Sequence, residues 1–308
     1  MPAVLVEQLA QRFELLGPLR LPFTAAVANL PRSDAARVEA LVTMGLSDTT
    51  RAAIATLPAL RVICCLGSGY EGVDLAAARE RGIAVTHSPN ANAASVADLA
   101  LTLLLASVRN LFESSAYLHS GDWEKNGRKR RGGRGLTGRR MGIYGLGAIG
   151  EKIAHRAAAF DIEVGYHNRN PRGDTRFQYF PTLLALATWA DFLMISVRAG
   201  ASTRHAVDAE ILSALGRDGH VVNIARGSVI DEPALIEALR AGTIAGAGLD
   251  VFEQEPLVPA ALRALPNVAL TPHIGGDTVE AMAAMGAMVL VNLDAFFSGR
   301  AVPNPVPG

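Results

Sequence analysis

The sequence predicts an α/β protein whose larger part is a doubly wound parallel sheet and whose smaller part is a second α/β domain. Three observations carry that expectation. From Met141 onward, short apolar runs alternate with helix-compatible segments, the order that builds β-α units into a parallel sheet covered on both faces. At the head of that series Met141-Gly142-Ile143-Tyr144 runs into Gly145-Leu146-Gly147-Ala148-Ile149-Gly150, three glycines spaced G-x-G-x-x-G, and a helical pattern follows over 151–158. The chain before residue 93 shows the same alternation on a smaller scale.

Composition bounds the rest. The 308 residues are 50% hydrophobic, enough for two ordinary cores and too apolar for disorder. Lys plus Arg and Asp plus Glu stand at 29 each, so no global field holds nucleic acid or an anionic membrane. Cys64 and Cys65 are adjacent, where a disulfide would be strained and would close no useful loop, so they read as buried, reduced thiols of a cytoplasmic protein. No export signal or membrane-spanning run is expected from the N-terminal pattern or from the apolar stretches.

In chain order, the first part offers strands at 40–44, 61–66 and 83–85, β-branched runs bounded by glycine. A long helical pattern then runs from about residue 94 toward 118. The segment 125–140 holds Arg128, Lys129, Arg130, Arg131, Arg134, Arg139 and Arg140. Without interleaved aromatic residues it reads as a solvated connection or subunit edge rather than a nucleic-acid arm. Strands are expected at 162–166, 192–196, 221–224, 247–250 and 268–271, and a last helix over 277–297 returns to the first domain. The boundaries that follow are 1–93 with 277–308 for one domain and 94–276 for the other.

A strand, a glycine turn and a helix in that order lay backbone N–H groups under a pyrophosphate, which makes 141–158 a dinucleotide-binding unit. Ligands of such sheets sit beyond the C-terminal ends of the strands. Three of those ends carry unusual polar residues: Arg226 after Ile224-Ala225, Glu255 before Pro256, and His273 before Ile274-Gly275-Gly276. A guanidinium supplies rigid paired donors for a carboxylate and a carbonyl oxygen. A histidine paired with a carboxylate has its imidazolium form favoured and can donate a proton to an alkoxide. His87, His119, His155, His205 and His220 lack metal-like spacing, so no metal site is expected.

Four stretches together resemble the D-isomer-specific 2-hydroxyacid dehydrogenases: Gly145 to Gly150, Val222-Asn223-Ile224-Ala225-Arg226-Gly227-Ser228-Val229-Ile230-Asp231, Gly248-Leu249-Asp250-Val251-Phe252 through Glu255-Pro256, and Leu270-Thr271-Pro272-His273-Ile274-Gly275-Gly276. The resemblance implies a Rossmann cofactor domain and a flavodoxin-like α/β substrate domain completed by the C-terminal helix. It implies catalytic roles for Arg226, Glu255 and His273, cofactor contacts from Gly145, Leu146, Gly147, Ala148, Ile149, Ser196, Val197, Ile224, Ala225, Asp250 and Gly275, and a homodimer. Leu66, Gly67, Ser68 and Gly69, with Arg226 and His273, would bind the substrate.

The cofactor is read from the second strand. An NAD-selecting fold places a carboxylate about twenty residues beyond the first glycine. Here the strand end continues His167-Asn168-Arg169-Asn170-Pro171-Arg172, with no carboxylate, so Asn168 and Arg169 suit a 2′-phosphate and NADP(H) is preferred over NAD(H). The expected activity is NADPH-dependent reduction of small 2-oxo acids, glyoxylate or hydroxypyruvate, to D-2-hydroxy acids. The alternatives are a hydroxyphenylpyruvate-type reductase with a bulkier substrate, or a non-catalytic dinucleotide-sensing protein of the same fold. Arg198 stands where relatives commonly have proline, and the sequence leaves its role open.

Overall fold

The structure is a computed structural model that describes all residues except 20–22, 128–132 and 308. Arg128, Lys129, Arg130 and Arg131 of the basic segment therefore lie outside the described residues. The chain divides into two compact units, Met1–Asn92 with Gly276–Gly308, and Ala93–Gly275.

The first unit holds three parallel strands, β1 (Ala40–Thr43), β2 (Val62–Cys65) and β3 (Ala84–Thr86), in the order β1-β2-β3. Every residue of β2 is buried, and the two-residue period of a strand sends alternate side chains to opposite faces. Ile63 and Cys65 pack with Phe23, Val27, Ile54 and Leu57, whereas Val62 and Cys64 pack with Leu5, Leu9, Met285 and Val289. The neighbouring cysteines thus sit in different cores and both are free. Burial pushes the Cys64 thiol up to about 11 and the Cys65 thiol to about 12, so both stay protonated at neutral pH.

The second core is closed by the helix Val279–Phe297, whose N-terminus is capped by Thr278 accepting from the Ala281 N–H at 3.2 Å. This helix is long and apolar enough to cross a membrane by composition, yet it carries Glu280 and Asp294, and Met285, Val289 and Leu293 lie in the core. Beyond it, the C-terminal tail pairs with the edge of β3 through Val306 N–H to Val85 O (2.9 Å) and His87 N–H to Asn304 O (3.1 Å).

Among the described residues, the sheet of the second unit has seven strands: β4 (Arg140–Tyr144), β5 (Glu163–His167), β6 (Gln178–Tyr179), β7 (Phe192–Ile195), β8 (His220–Asn223), β9 (Gly246–Leu249) and β10 (Val268–Leu270). All pairings are parallel, in the order β10-β9-β8-β7-β4-β5-β6. The strand order reverses between β4 and β7, so the turns after those strands flank the switch point where such sheets bind ligands. Doubly wound parallel architecture is therefore what the β-α alternation predicted.

Two details depart from the sequence expectation. The strand β6 has two residues, too short to leave a pattern. The long helical pattern is two helices, Ala93–Val108 and Leu111–His119, bent by 65°. Asn110 between them takes φ 50° and ψ 43°, a left-handed conformation that Asn tolerates better than most side chains, and this ends the first helix. The first helix is largely buried against the sheet, while the second buries no residue, so the apolar periodicity continues across a break that one backbone torsion decides.

Candidate active site

The glycine turn joins β4 to the helix Ala148–Ala158, and its three glycines do three different things. Gly145 has φ +101°, and a Cβ there would lie 2.5 Å from the Val197 backbone, so the first turn needs glycine twice over. A Cβ on Gly150 would sit 2.4 Å from Gly145 O, so this glycine permits close packing of helix and turn. A Cβ on exposed Gly147 would meet no atom within 4 Å: the space it would fill is open, as a site for an approaching pyrophosphate requires. The N–H groups of Ala148 and Ile149, at the start of the helix, have no acceptor among the described residues. These residues fit the dinucleotide that the fold implies.

The turn is braced from two sides. Ser196 donates its hydroxyl to Gly145 O at 2.8 Å, and the Val197 backbone lies against the same glycine, so both residues brace the turn. Asn168, just past β5, accepts the Leu146 N–H through Oδ1 at 2.7 Å. Arg172 donates to Leu146 O at 3.1 Å and is ion-paired with Asp174 (2.5 Å) and Glu151 (3.5 Å). Arg169 is exposed and makes no hydrogen bond or ion pair among the described residues. Of Asn168, Arg169 and Arg172, only Arg169 has a side chain left uncommitted among the described residues.

Buried Asn223 organises the turn after β8. Its Oδ1 accepts the Ala225 N–H at 3.0 Å and its amide donates to Arg226 O at 2.9 Å, which fixes buried Ile224 and Ala225 and presents Arg226. Arg226 also donates through Nη1 to Ala225 O at 2.6 Å. Gly227 lets the next strand end approach: a Cβ there would lie 1.9 Å from the Phe252 carbonyl carbon.

Asp250 ends β9 and is almost fully buried. Its carboxylate accepts from Thr271 Oγ1 (2.6 Å), Ile274 N–H (2.8 Å) and Gly275 N–H (2.8 Å), while its own carbonyl accepts the His273 N–H at 2.8 Å. Those four bonds shape the turn after β10, in which His273 adopts φ 54°. From that turn His273 Nδ1 meets Glu255 Oε2 at 2.7 Å, and Glu255 Oε1 accepts the Phe252 N–H at 3.0 Å. Burial raises the Glu255 carboxyl, but the hydrogen bonds from His273 and Phe252 and the charges of His273 and Arg226 outweigh it and hold the group below the usual carboxylate range. Glu255 is therefore ionised at neutral pH, and with Nδ1 engaged, His273 Nε2 is the ring nitrogen left to exchange a proton with a ligand.

In the first unit, the segment Leu66-Gly67-Ser68-Gly69 follows β2. Two of its carbonyls are engaged within the unit: Gly67 O accepts from Ser88 N–H at 2.7 Å, and Ser68 O lies 3.0 Å from His87 Nδ1. The N–H groups of Gly67, Ser68 and Gly69 have no acceptor among the described residues, an arrangement suited to an anion. Among the described residues no group of three or more His, Cys, Asp or Glu can hold a metal ion.

Sequence reasoning passed over Asn223 and the residues that grip Glu253. A polar residue closing an apolar strand was the available sign for Asn223. Nothing local marks His205 and Arg204 as its neighbours, because Glu253 lies 48 and 49 positions further along the chain.

A glycine turn at the switch point of a parallel sheet, with an arginine and a carboxylate-histidine pair on neighbouring strand ends, defines a dinucleotide-dependent oxidoreductase. Residues 101–275 match the family "D-isomer specific 2-hydroxyacid dehydrogenase, NAD binding domain". The chain is 39% identical to glyoxylate/hydroxypyruvate reductase A of Arabidopsis thaliana, over 99% of this chain and 96% of that one. It is 37% identical to hydroxyphenylpyruvate reductase of Plectranthus scutellarioides, over 99% and 96% respectively. Among solved structures it is similar to the NADPH-dependent glyoxylate/hydroxypyruvate reductase of Sinorhizobium meliloti in complex with NADP and malonate, with 40% identity, TM-score 0.90, and 98% of this chain and 92% of that chain covered. The protein belongs to the D-isomer-specific 2-hydroxyacid dehydrogenases.

Proposed function

We propose that the protein reduces small 2-oxo acids, glyoxylate or hydroxypyruvate, to D-2-hydroxy acids with NADPH as the preferred reductant. The observation that carries this reading is the His273–Glu255 pair at 2.7 Å, close enough to Arg226 for its charge to act on Glu255, in the loops after β9 and β10 of the sheet whose β4 runs into the glycine turn. When bound, the nicotinamide supplies the hydride for the carbonyl carbon. Arg226 binds the substrate carboxylate and polarises the carbonyl oxygen with its paired donors. His273 gives the proton at Nε2 to the oxygen as it becomes an alkoxide, and ionised Glu255 steadies the imidazolium through Nδ1. Gly67, Ser68 and Gly69 of the first unit are assigned to the substrate carboxylate through their N–H groups; Leu66, expected to join them, instead gives its N–H to Thr43 O at 2.7 Å and continues the strand pairing. On this reading that unit is the substrate domain and the other the dinucleotide domain.

Support for NADP over NAD comes from the strand end after β5, which lacks a carboxylate and leaves Arg169 uncommitted, and from the NADPH-dependent relative. Asn168 contributes by holding the Leu146 N–H and thereby the turn.

We assign the protein to the cytoplasm and to a homodimer. The helices Leu111–His119 and Asp122–Asn126 leave Leu111, Phe112, Leu118 and Trp123 each about half exposed, an apolar surface offered to a second copy. Light scattering is expected to return twice the chain mass of 32.4 kDa.

The test is NADPH consumption with glyoxylate, hydroxypyruvate, pyruvate and hydroxyphenylpyruvate. The Plectranthus relative supports a second reading, reduction of a bulkier arylpyruvate, and a kcat/KM highest for hydroxyphenylpyruvate would select it. NADPH binding without turnover of any of the four would replace both readings with a dinucleotide sensor.

A further inference from the structure

The loop that presents Glu255 is held from outside by residues the reaction does not use. Glu253, two positions before Glu255, accepts at Oε1 from Arg204 Nη2 at 2.9 Å and lies 2.8 Å from His205 Nε2. Its side chain is 20% exposed, against 34% for His205 and 59% for Arg204, so the carboxylate is the sheltered member of the group. The Glu253 N–H meets Glu232 Oε2 at 3.4 Å, which sets three carboxylates, Glu232, Glu253 and Glu255, around one short loop. Such a cluster repels itself unless cations are placed against it. The hydrogen bond from His205, followed by its charge and those from Arg204, keeps Glu253 below the usual carboxylate range, while burial and the charge of Glu253 raise Glu232.

His205 is itself rigidly placed. It adopts φ 50°, uncommon for a residue with a side chain, and its N–H donates to Ser228 O at 2.8 Å. Val207 N–H continues the pairing to Val229 O at 3.0 Å. The segment bearing His205 is thus bonded to the same turn that presents Arg226, and Gly227 of that turn touches the backbone of Phe252 and Glu253. Three strand-end loops, after β7, β8 and β9, close into one ring with Glu253 as the link.

We propose that Glu253 is a positioning residue of the active site: strapped by His205 and Arg204, it holds the loop so that Glu255 meets His273 Nδ1 beside Arg226. It touches neither substrate nor cofactor and acts through Glu255. The proposal rests on the assigned roles of Glu255 and His273.

The experiment compares E253A, E253Q and H205Q in the full-length enzyme. With glyoxylate, E253A is expected to lower kcat by about tenfold, leave KM for NADPH within twofold, and displace the pH midpoint of kcat by at least about half a unit. E253Q, which keeps the shape and can still accept from Arg204, is expected to recover kcat to within about threefold. H205Q is expected to fall between them. A merely structural contact lowers melting temperature without moving the pH profile of the enzyme that remains folded. The second readout is the ring titration of His273 followed by NMR and assigned with H273Q: E253A is expected to shift it and E253Q to leave it in place. Coincident titrations of E253A and wild type would overturn the proposal. If wild type turns over no 2-oxo acid, the functional reading fails, and the NMR titration still decides the strap.

Discussion

Replacing Arg169 by alanine tests the cofactor assignment at one residue. The guanidinium is exposed and has no partner among the described residues, so its removal breaks nothing in the folded chain. Arg172 and Asn168 would be poorer probes, because the first is ion-paired with Asp174 at 2.5 Å and the second holds the Leu146 N–H. A hydrogen bond to a charged group is worth about 1.5–3 kcal/mol, and an exposed one belongs at the lower end. At about 1.4 kcal/mol per tenfold, the loss is about 10- to 30-fold in apparent affinity for NADPH. NADH lacks the 2′-phosphate, so its KM is expected to stay within twofold. Both constants are measured by cofactor absorbance at fixed, saturating glyoxylate. Salt adds a control, since the NADPH KM of wild type should rise with ionic strength and that of R169A should be nearly flat. An NADPH to NADH preference unchanged within twofold would refute the argument, whatever the absolute rates.

Other predictions follow from the same geometry. His273→Ala should lower kcat by about 10²–10⁴ while NADPH binding, followed by fluorescence, survives; turnover within a few-fold of wild type would remove His273 from the mechanism. Gly227→Ala sets a Cβ 1.9 Å from the Phe252 backbone, which cannot yield as a side-chain tip would. Overpacking of that kind costs about 1–3 kcal/mol, and a fall in both melting temperature and kcat is expected, whereas an unshifted melting curve would contradict the packing. His220 is buried against Ser107 Oγ at 2.9 Å, and burial, with the charge of Arg134, lowers it from 6.5 to about 4. Because the folded value lies below the unfolded one, acid protonates the unfolded chain first. Stability is then lost as pH falls from about 6.5 toward 4, by about 2 kcal/mol between pH 7 and 5 from this group. Denaturant titrations at both pH values should show that increment in wild type and not in H220Q; equal slopes in both would sink it.

Much of the site was legible because strand ends and turns write themselves into short stretches of sequence. Glycines at 145, 147 and 150 announce a turn that tolerates no side chain at two positions and leaves room at the third, and the absence of a carboxylate after β5 is equally local. Asn110 was less legible. The apolar pattern runs through it, and only its left-handed torsion divides the helix. The strand β6, at two residues, carries too little pattern to be found.

What the sequence alone determined was chemistry at fixed positions: the alternation that builds parallel sheets, the glycine turn, and an arginine, a glutamate and a histidine each closing a strand. These are properties of a few adjacent residues, so local sterics and hydrogen-bonding capacity decide them. Only the tertiary structure decided which of those residues meet. The approach of Glu255 to His273 within 2.7 Å depends on the Asp250 carboxylate folding the turn of 271–275. The seating of the 252–255 loop depends on a glycine at 227 and a histidine at 205, brought to it by strand order. Such contacts join residues far apart in the chain, and it is the packing of the whole sheet that sets their distances.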